Sequence, residues 1–387
     1  MRILHTSDWH VGKTIRGRSR LDEHRAVLAE IVDLARRESV DLVVVAGDLY
    51  ESAAPSADAE QVVLRALLDL HDTGAAVVVV AGNHDNPGRF EAIRPLMAEI
   101  GITVAGHVRR PEDGGVVELQ AGGQPVQIAL LPFVSQRYSV RAAELMAHDL
   151  AENVGKYAER VRGIIAALTS GFSAGSVNLL VAHCMVRGGR AGGGERDAQT
   201  AFEDYWVEAS SFPTTSSYVA LGHLHLAQSV PTGVPAWYSG SPIQVDFGEA
   251  GAGKHAILVD VDPGRPAQVR DVPLTAGVPL RTLTGTLAEL QEIAAAEADD
   301  LASSWLRVRV TEPARAGLAD DVRDLLGERA VEVRLERTET PGERERAVRA
   351  GRTPHDLFAA FLAEEGVEDD RILALFDVLL DEEQSAR

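Results

Sequence analysis

The sequence predicts an α/β protein: a two-layered β-sheet core flanked by helices, with a small α/β unit and a helical tail after it. Three observations predict it. Short β-branched runs alternate with amphipathic helical stretches in the first part of the chain, strand-like runs become more frequent after residue 126, and polar clusters sit directly after the apolar runs.

Taken in order, Ile3–Thr6 reads as a strand, Leu21–Glu38 as a helix and Leu42–Ala46 as a buried strand. A helix over Ser56–Thr73 and a strand over Val77–Ala81 repeat the alternation. Further strands are expected at Val126–Leu131, Val177–Ala182, Tyr218–Leu221 and Ala256–Val261, with a long helical stretch around Val140–Leu168. A turn-rich passage, Val272–Pro279, is expected to end this first domain, residues 1–275. Residues 276–340 then read as a small α/β domain: strand Leu280–Leu283, helix Leu287–Ala298, strand Trp305–Val310, helix Leu318–Leu326, strand Val331–Leu335. A charged linker, 341–352, leads to a tail over 353–387. There Thr353-Pro354 opens a helix with Leu357, Phe358, Phe361 and Leu362 on one face, and Gly366 separates it from a second apolar stretch containing Phe376.

Composition narrows the function classes. At 387 residues, two or three domains are expected. The apolar share of 45% and charged share of 25% are ordinary for a globular chain and argue against wholesale disorder. The apolar runs are far shorter than the ~20 residues that span a bilayer, and no secretory leader is legible, so the chain reads as cytoplasmic, with no membrane partner. A single cysteine, Cys184, excludes an internal disulfide framework and any multi-thiolate zinc site. The net charge of −20 (38 basic against 58 acidic residues) argues against strong non-specific nucleic-acid binding by this chain alone. The excess is uneven: residues 353–387 carry two basic and ten acidic residues. Lysine occurs only as Lys13, Lys156 and Lys254, the pattern that GC-rich codon usage produces.

The chemistry lies just after the strands. Asp8 and His10 follow Ile3–Thr6, Gly47-Asp48 follows Leu42–Ala46, and Gly82-Asn83-His84-Asp85 follows Val77–Ala81. His183 follows Leu179–Ala182, and Gly222-His223-Leu224-His225 follows Tyr218–Leu221. Ligands in open α/β sheets collect at the carboxyl ends of strands, so the five loops are expected on one rim. Carboxylates, imidazoles and one amide oxygen suit hard-to-borderline divalent metals. The glycines before Asp48, Asn83 and His223 are expected to allow tight turns where each strand ends. A lone Asp-x-His or His-x-His is more often a surface arrangement than a ligand pair; five such pieces in order are not.

The order Asp-x-His, Gly-Asp, Gly-Asn-His-Asp, His, Gly-His-x-His resembles the calcineurin-like metallophosphoesterase superfamily. Within it the chain is similar to the SbcD family of nuclease subunits, relatives of the Mre-type nucleases. The stretches Met1–Gly12, Val45–Tyr50 and Tyr238–Gln244, and the tail from Thr353 to Leu380, carry that likeness. The resemblance implies a first metal held by Asp8, His10 and His225, a second held by Asn83, His183 and His223, and Asp48 bridging both. It implies two divalent ions per chain, most often Mn²⁺, and His84 as the residue that protonates the leaving oxygen or stabilises the transition state. Asp85 would orient His84 or a neighbouring ligand. It further implies a Mn-dependent DNA exonuclease and hairpin endonuclease acting in repair and recombination with an SbcC-type ATPase. The tail docks that ATPase, residues 276–340 cap the DNA path, and a nuclease homodimer sits within a heterotetramer, on the nucleoid when acting on DNA. The alternative is a stand-alone phosphodiesterase for small nucleotides.

Other features are weaker. Arg187, Arg190 and Arg196 in a glycine-rich loop, and Arg16, Arg18 and Arg20 after the first motif, are candidates for phosphate contact. Trp9 is expected to pack at the site wall and Cys184 to be a buried small residue. Tyr50-Glu51-Ser52 departs from the pattern of many relatives and puts local substrate positioning in question.

Overall fold

The computed structural model describes residues 1–135, 138–139, 142, 146, 157–192, 206–335, 358–359, 361–362, 371–373 and 375–376. The chain divides into two compact units, residues 1–310 with 317–334, and residues 311–316 with 335–387.

Strands are numbered along the chain. In the first unit β1 (Arg2–Thr6), β4 (Leu42–Ala46), β5 (Ala76–Val80) and β6 (Ile102–Ala105) run parallel, and β15 (Lys254–Asp260) pairs antiparallel with β1 and with β16 (Gln268–Leu274). The resulting sheet has the order β16–β15–β1–β4–β5–β6. A second sheet is built from β7 (Val116–Ala121), β8 (Gln124–Leu131), β9 (Val177–His183), β12 (Tyr218–Gly222), β13 (Gln228–Ser229) and β14 (Ala236–Tyr238). Its order is β13–β14–β12–β9–β8–β7, with four parallel strands between two antiparallel edges. Smaller pairings are the hairpin β2 (Thr14–Ile15)–β3 (Arg18–Ser19) and the pair β10 (Met185–Val186)–β11 (Trp206–Val207).

Strand alternation explains the layering, because successive side chains point to opposite faces. On β4, Leu42, Val44 and Ala46 face the second sheet and meet Ile128, Leu130, Leu179 and Val181. Val43 and Val45 face outward and pack on α1 (Leu21–Arg37) and α2 (Ala57–His71), through Val27, Ile31, Val63 and Leu67. The second sheet covers its outer face with Ile164, Ile165 and Leu168 of the helix Tyr157–Thr169. Strands buried on both faces need continuous apolar runs, and Leu42–Ala46 and Ala76–Val80 supply them. The sequence therefore predicted the architecture correctly: two sheets, with helices outside.

Two local expectations change. Val272–Leu274 is the end of edge strand β16 rather than turn, its outward half-exposed residues giving no apolar run to read. A helix missing from the expectation, α3 (Pro87–Glu99), starts where Asn86 caps the amides of Gly88 and Arg89 and Pro87 takes the first helical position. Of the stretch Val140–Leu168, residues 140–141, 143–145 and 147–156 lie outside the described residues.

Residues 280–335 form a parallel-paired strand couple, β17 (Leu280–Gly285) and β18 (Trp305–Val310), joined by β19 (Ala330–Leu335). The helix Leu287–Ala296 opens with a full capping box, Thr286 with Glu289, and packs Leu290 against Leu306 and Val308. This small sheet is tied to helix α1 and to the β2–β3 hairpin by side chains. Trp305 donates its indole N–H to Glu23 Oε1 at 2.6 Å, and Arg16 and Arg307 both donate to Glu332 Oε2 at 2.8 Å. In the second unit Phe358 stacks on Phe376 with ring centroids 4.2 Å apart, while Phe361 and Leu375 are exposed. Leu357 and the linker 341–352 lie outside the described residues.

Candidate metal centre

Five loops reach one rim because five strands end there. Backbone pairing joins the first two: Asp8 N–H donates to Gly47 O at 2.9 Å, and His10 N–H to Asp48 O at 3.0 Å. His84 N–H donates to Asp48 Oδ1 at 2.7 Å, and His223 N–H to Asp8 Oδ1 at 3.0 Å, so each carboxylate is gripped by the neighbouring loop. Among the described residues six non-glycine positions have left-handed φ, and four of them are Asp8 (+52°), His10 (+49°), Asp48 (+53°) and His223 (+112°). Such backbone costs about 1–3 kcal/mol per residue and clusters at functional sites.

The glycines act differently from expectation. Gly47 has φ +94° and does provide a left-handed turn. Gly82 and Gly222 do not; they are needed for closeness. A Cβ on Gly82 would run into Asp48, and one on Gly222 into the carbonyl of Ala46.

The eight polar residues predicted for the site converge. Asp8, His10 and His225 form one group of atoms that could hold a cation, and Asp48, His183 and His223 another. Asn83 Oδ1 lies 2.9 Å from His183 Nε2 and 2.8 Å from His223 Nδ1. Asp48 Oδ2 stands between the groups, 3.4 Å from His183 Nε2 and 3.9 Å from His10 Nε2. His84 also falls within reach of His10 and Asp48, and at 8% exposure it is the most open imidazole of the set. Its Nδ1–H donates to Glu51 O at 2.8 Å.

Asp85 serves the loops rather than His84. It is buried and accepts from the amides of Gly82 (2.8 Å), Tyr50 (3.0 Å) and Leu49 (3.3 Å), lashing the Asp48 loop to the Asn83 loop. Burial, with Asp48 nearby, raises its carboxyl to about 7.

The donor set fits divalent cations. His10 and His225 donate their Nδ1–H groups to Glu51 and Glu249, so in the neutral rings both Nε2 atoms carry lone pairs, and these face one another at 3.1 Å. Such a pair needs a proton or a cation between its members. Burial lifts Asp8 to about 6 against the pull of His183 and His225, and lowers His10 to about 4. The imidazoles His183, His10 and His84 outweigh burial at Asp48 and hold it well below the carboxylate range. Burial opposes charge on His183, but Asp48 raises it to about 9, so without metal a proton balances Asp48 where a cation would.

The chain was compared with known proteins. Residues 1–149 match the family model for calcineurin-like phosphoesterases, and residues 277–366 match the model described as the type 5 capsule protein repressor C-terminal domain. The SbcD subunit of the nuclease SbcCD from Bacillus subtilis is 38% identical over 285 residues, which cover 72% of this chain and 71% of that protein. The SbcD subunits of Rhodobacter capsulatus (34%; 76% and 75% covered) and Escherichia coli K12 (30%; 75% and 72% covered) align similarly. The chain belongs to the SbcD family. It is a hydrolytic, metal-dependent enzyme.

In this SbcD-family chain several expected phosphate contacts are otherwise engaged. Arg20 is buried, donating to Glu23 and to Gln244 O, while Arg16 and Arg18 pair with Glu332 and Glu328. Arg187 pairs with Glu208, and Arg196 lies outside the described residues. Trp9 is fully buried and donates to Thr6 Oγ1, facing the helix-side core behind the site rather than its wall. Cys184 is buried, as expected. Sequence reasoning missed Phe133, stacked on His223 with centroids 6.3 Å apart, Ser239, bonded to Ser7 behind Asp8, and Glu249. Phe133 and Glu249 have no motif of their own, and Ser239 lies in the Tyr238–Gln244 stretch without having been read as a site residue; each arrives from a distant part of the chain. No helix among the described residues is long and apolar enough to cross a membrane.

Proposed function

We propose that this chain is the nuclease component of a DNA-processing complex, hydrolysing phosphodiester bonds at a centre of two divalent cations, Mn²⁺ by preference. Asp8, His10 and His225 would hold one ion, Asn83, His183 and His223 the other, and Asp48 both. The observation that carries this is the placement of Asp48 between two ready ligand groups. When bound, such a pair of ions supplies a nucleophile at neutral pH and offsets the charge that develops on the phosphoryl oxygens.

The chain's own residues do the rest. His84 places its Nδ1–H on the Glu51 carbonyl and aims Nε2 at the leaving oxygen. The imidazolium form of the ring carries the second proton there, and giving it up returns the ring to its neutral Nδ1–H form. Its backbone N–H fixes Asp48, so the proton donor and the shared carboxylate move as one piece. Asp85 keeps the two loops in register through three amides. Phe133 packs edge-on against His183 and stacks on His223, bracing both rings from one side.

DNA is the substrate, with double-strand exonuclease and hairpin endonuclease activity, and the partner is an SbcC-type ATPase. The relatives are named as SbcD components of the nuclease SbcCD, which supports that pairing. A strongly acidic chain gains most from a partner that supplies part of the DNA grip. Residues 276–340 would cap the DNA path, the tail over 353–387 would dock the ATPase through its apolar residues, and two nuclease chains would pair within a heterotetramer.

The deciding experiment is cleavage of hairpin-ended duplex DNA with Mn²⁺, with and without the SbcC-type partner, beside His84→Ala. Partner-stimulated cutting that the variant loses is the expected result. Brisk turnover of a small nucleotide diester with no DNA cleavage would instead assign a stand-alone phosphodiesterase.

A further inference from the structure

Two of the chain's three lysines stand directly behind the candidate centre. Every other basic residue except Lys156 is an arginine. Lys254 is buried, and its ammonium donates to Glu249 Oε2 at 2.5 Å, Ser241 Oγ at 2.8 Å and the His225 carbonyl at 3.0 Å. Three donors meet three acceptors, a demand that a compact ammonium meets and a planar five-donor guanidinium does not.

Glu249 is 1% exposed. Its Oε2 takes Lys254 and the Val245 amide (3.2 Å), which turns Oε1 onto His225 Nδ1 at 2.9 Å. The arrangement recurs more openly at His10: Nδ1–H to Glu51 Oε2 at 3.1 Å, and Lys13 Nζ to Glu51 Oε1 at 2.9 Å. On the other side of Asp48 the backing is neutral, since His183 donates Nδ1–H to the Ala46 carbonyl at 2.8 Å. A carboxylate behind an imidazole fixes the ring and makes Nε2 a stronger donor than a carbonyl does.

We propose that Glu249, locked by Lys254, is a positioning residue for His225, and that with Glu51 it makes the Asp8/His10/His225 group the tighter of the two cation sites. This rests on the two-cation reading of the centre. Glu249 touches no substrate; it acts through the ring it holds. The lysine explains its own survival in an arginine-rich chain: replacing it would leave a buried carboxylate without its partner and free Glu249 to turn away from His225.

The test is calorimetric titration of the full, metal-free chain with Mn²⁺. The wild type should take up two ions with distinguishable affinities. The variant Glu249→Gln/Lys254→Met removes both buried charges together, so the metal-free protein should keep its melting temperature within a few degrees. Its tighter site should weaken by about 10–100-fold while the weaker site is unchanged. Glu249→Asp, which keeps the charge but draws the carboxylate back, should weaken the same site less. It also serves as the measurement if the double variant does not fold. Wild-type uptake with both sites unchanged in the folded variants overturns the role of Glu249. A wild type that takes up no Mn²⁺ overturns the two-cation reading, and this inference with it.

Discussion

His10 Nε2 and His225 Nε2 face each other across 3.1 Å, with their opposite ring nitrogens turned back onto Glu51 and Glu249. Two neutral imidazoles so placed repel through their lone pairs, and a shared cation turns that repulsion into two coordinate bonds. Metal should therefore stabilise the fold. At 100 times its dissociation constant each bound ion adds about 2.7 kcal/mol. Differential scanning calorimetry of the metal-free chain with and without Mn²⁺ reads this directly. Asp48→Asn should lose most of the shift, since Asp48 stands beside both ligand groups.

His84 separates binding from chemistry. His84→Ala should keep wild-type metal content, measured by elemental analysis, because the ligand groups on either side of Asp48 remain. Phosphodiester cleavage should fall by about 10²–10⁴-fold, the usual worth of a placed proton donor. Full activity with normal metal content would remove the proton-donor role.

Gly222 tests how closely the two sheets approach. A Cβ there collides with the carbonyl of Ala46, and backbone yields less readily than a side chain. Gly222→Ala should cost about 1–3 kcal/mol by urea unfolding and weaken metal uptake, because the residue leads directly into His223. Gly233→Ala, on open space in the same unit, should be nearly neutral.

The small sheet is held to the core by a charge cluster that responds to acid. Burial opposes ionisation of Glu332, but Arg307, Arg16 and Arg334 outweigh it and hold the carboxyl at about 2. The folded value lies below the unfolded one of about 4.5, so this contribution is present above pH ~4.5 and is lost as pH falls toward 2. Glu332→Gln should be less stable at neutral pH, by about 2 kcal/mol, and should lose less than the wild type between pH 4.5 and 3. Urea midpoints of the metal-free proteins across that range would reveal a converging pair of curves.

In the tail, Phe358 stacks on both Phe376 and Phe361, and Phe361 and Leu375 stay more than half exposed. Phe361→Glu/Leu375→Glu should therefore abolish binding of an SbcC-type ATPase in a pull-down while leaving hydrolysis of a small chromogenic diester intact. Binding by the variant at wild-type affinity would move the docking surface elsewhere.

Much of this molecule is written in its local sequence. Leu42–Ala46 and Ala76–Val80 are apolar on every residue because both faces of a central parallel strand are buried, so the strands and the loops after them can be read without neighbours. The same holds for Asp8, His10, Asp48, Asn83, His84, His183, His223 and His225, whose residue types and strand-end positions point to one rim. What the linear order does not contain is which atom meets which. Asp85 reads as orienting His84 or a neighbouring ligand, and which of these it serves is visible only in its bonds to the amides of Gly82, Leu49 and Tyr50. Gly82 and Gly222 read as turn residues and are instead points of close approach. Glu249 and Lys254 carry no motif, yet fold against His225 and Ser241. Periodicity and strand-end chemistry follow from the backbone's own repeat, and so the sequence determines them alone. The pairing of buried charges and the contacts behind the ligands depend on the packing of segments distant in the chain, and only the tertiary structure decides them.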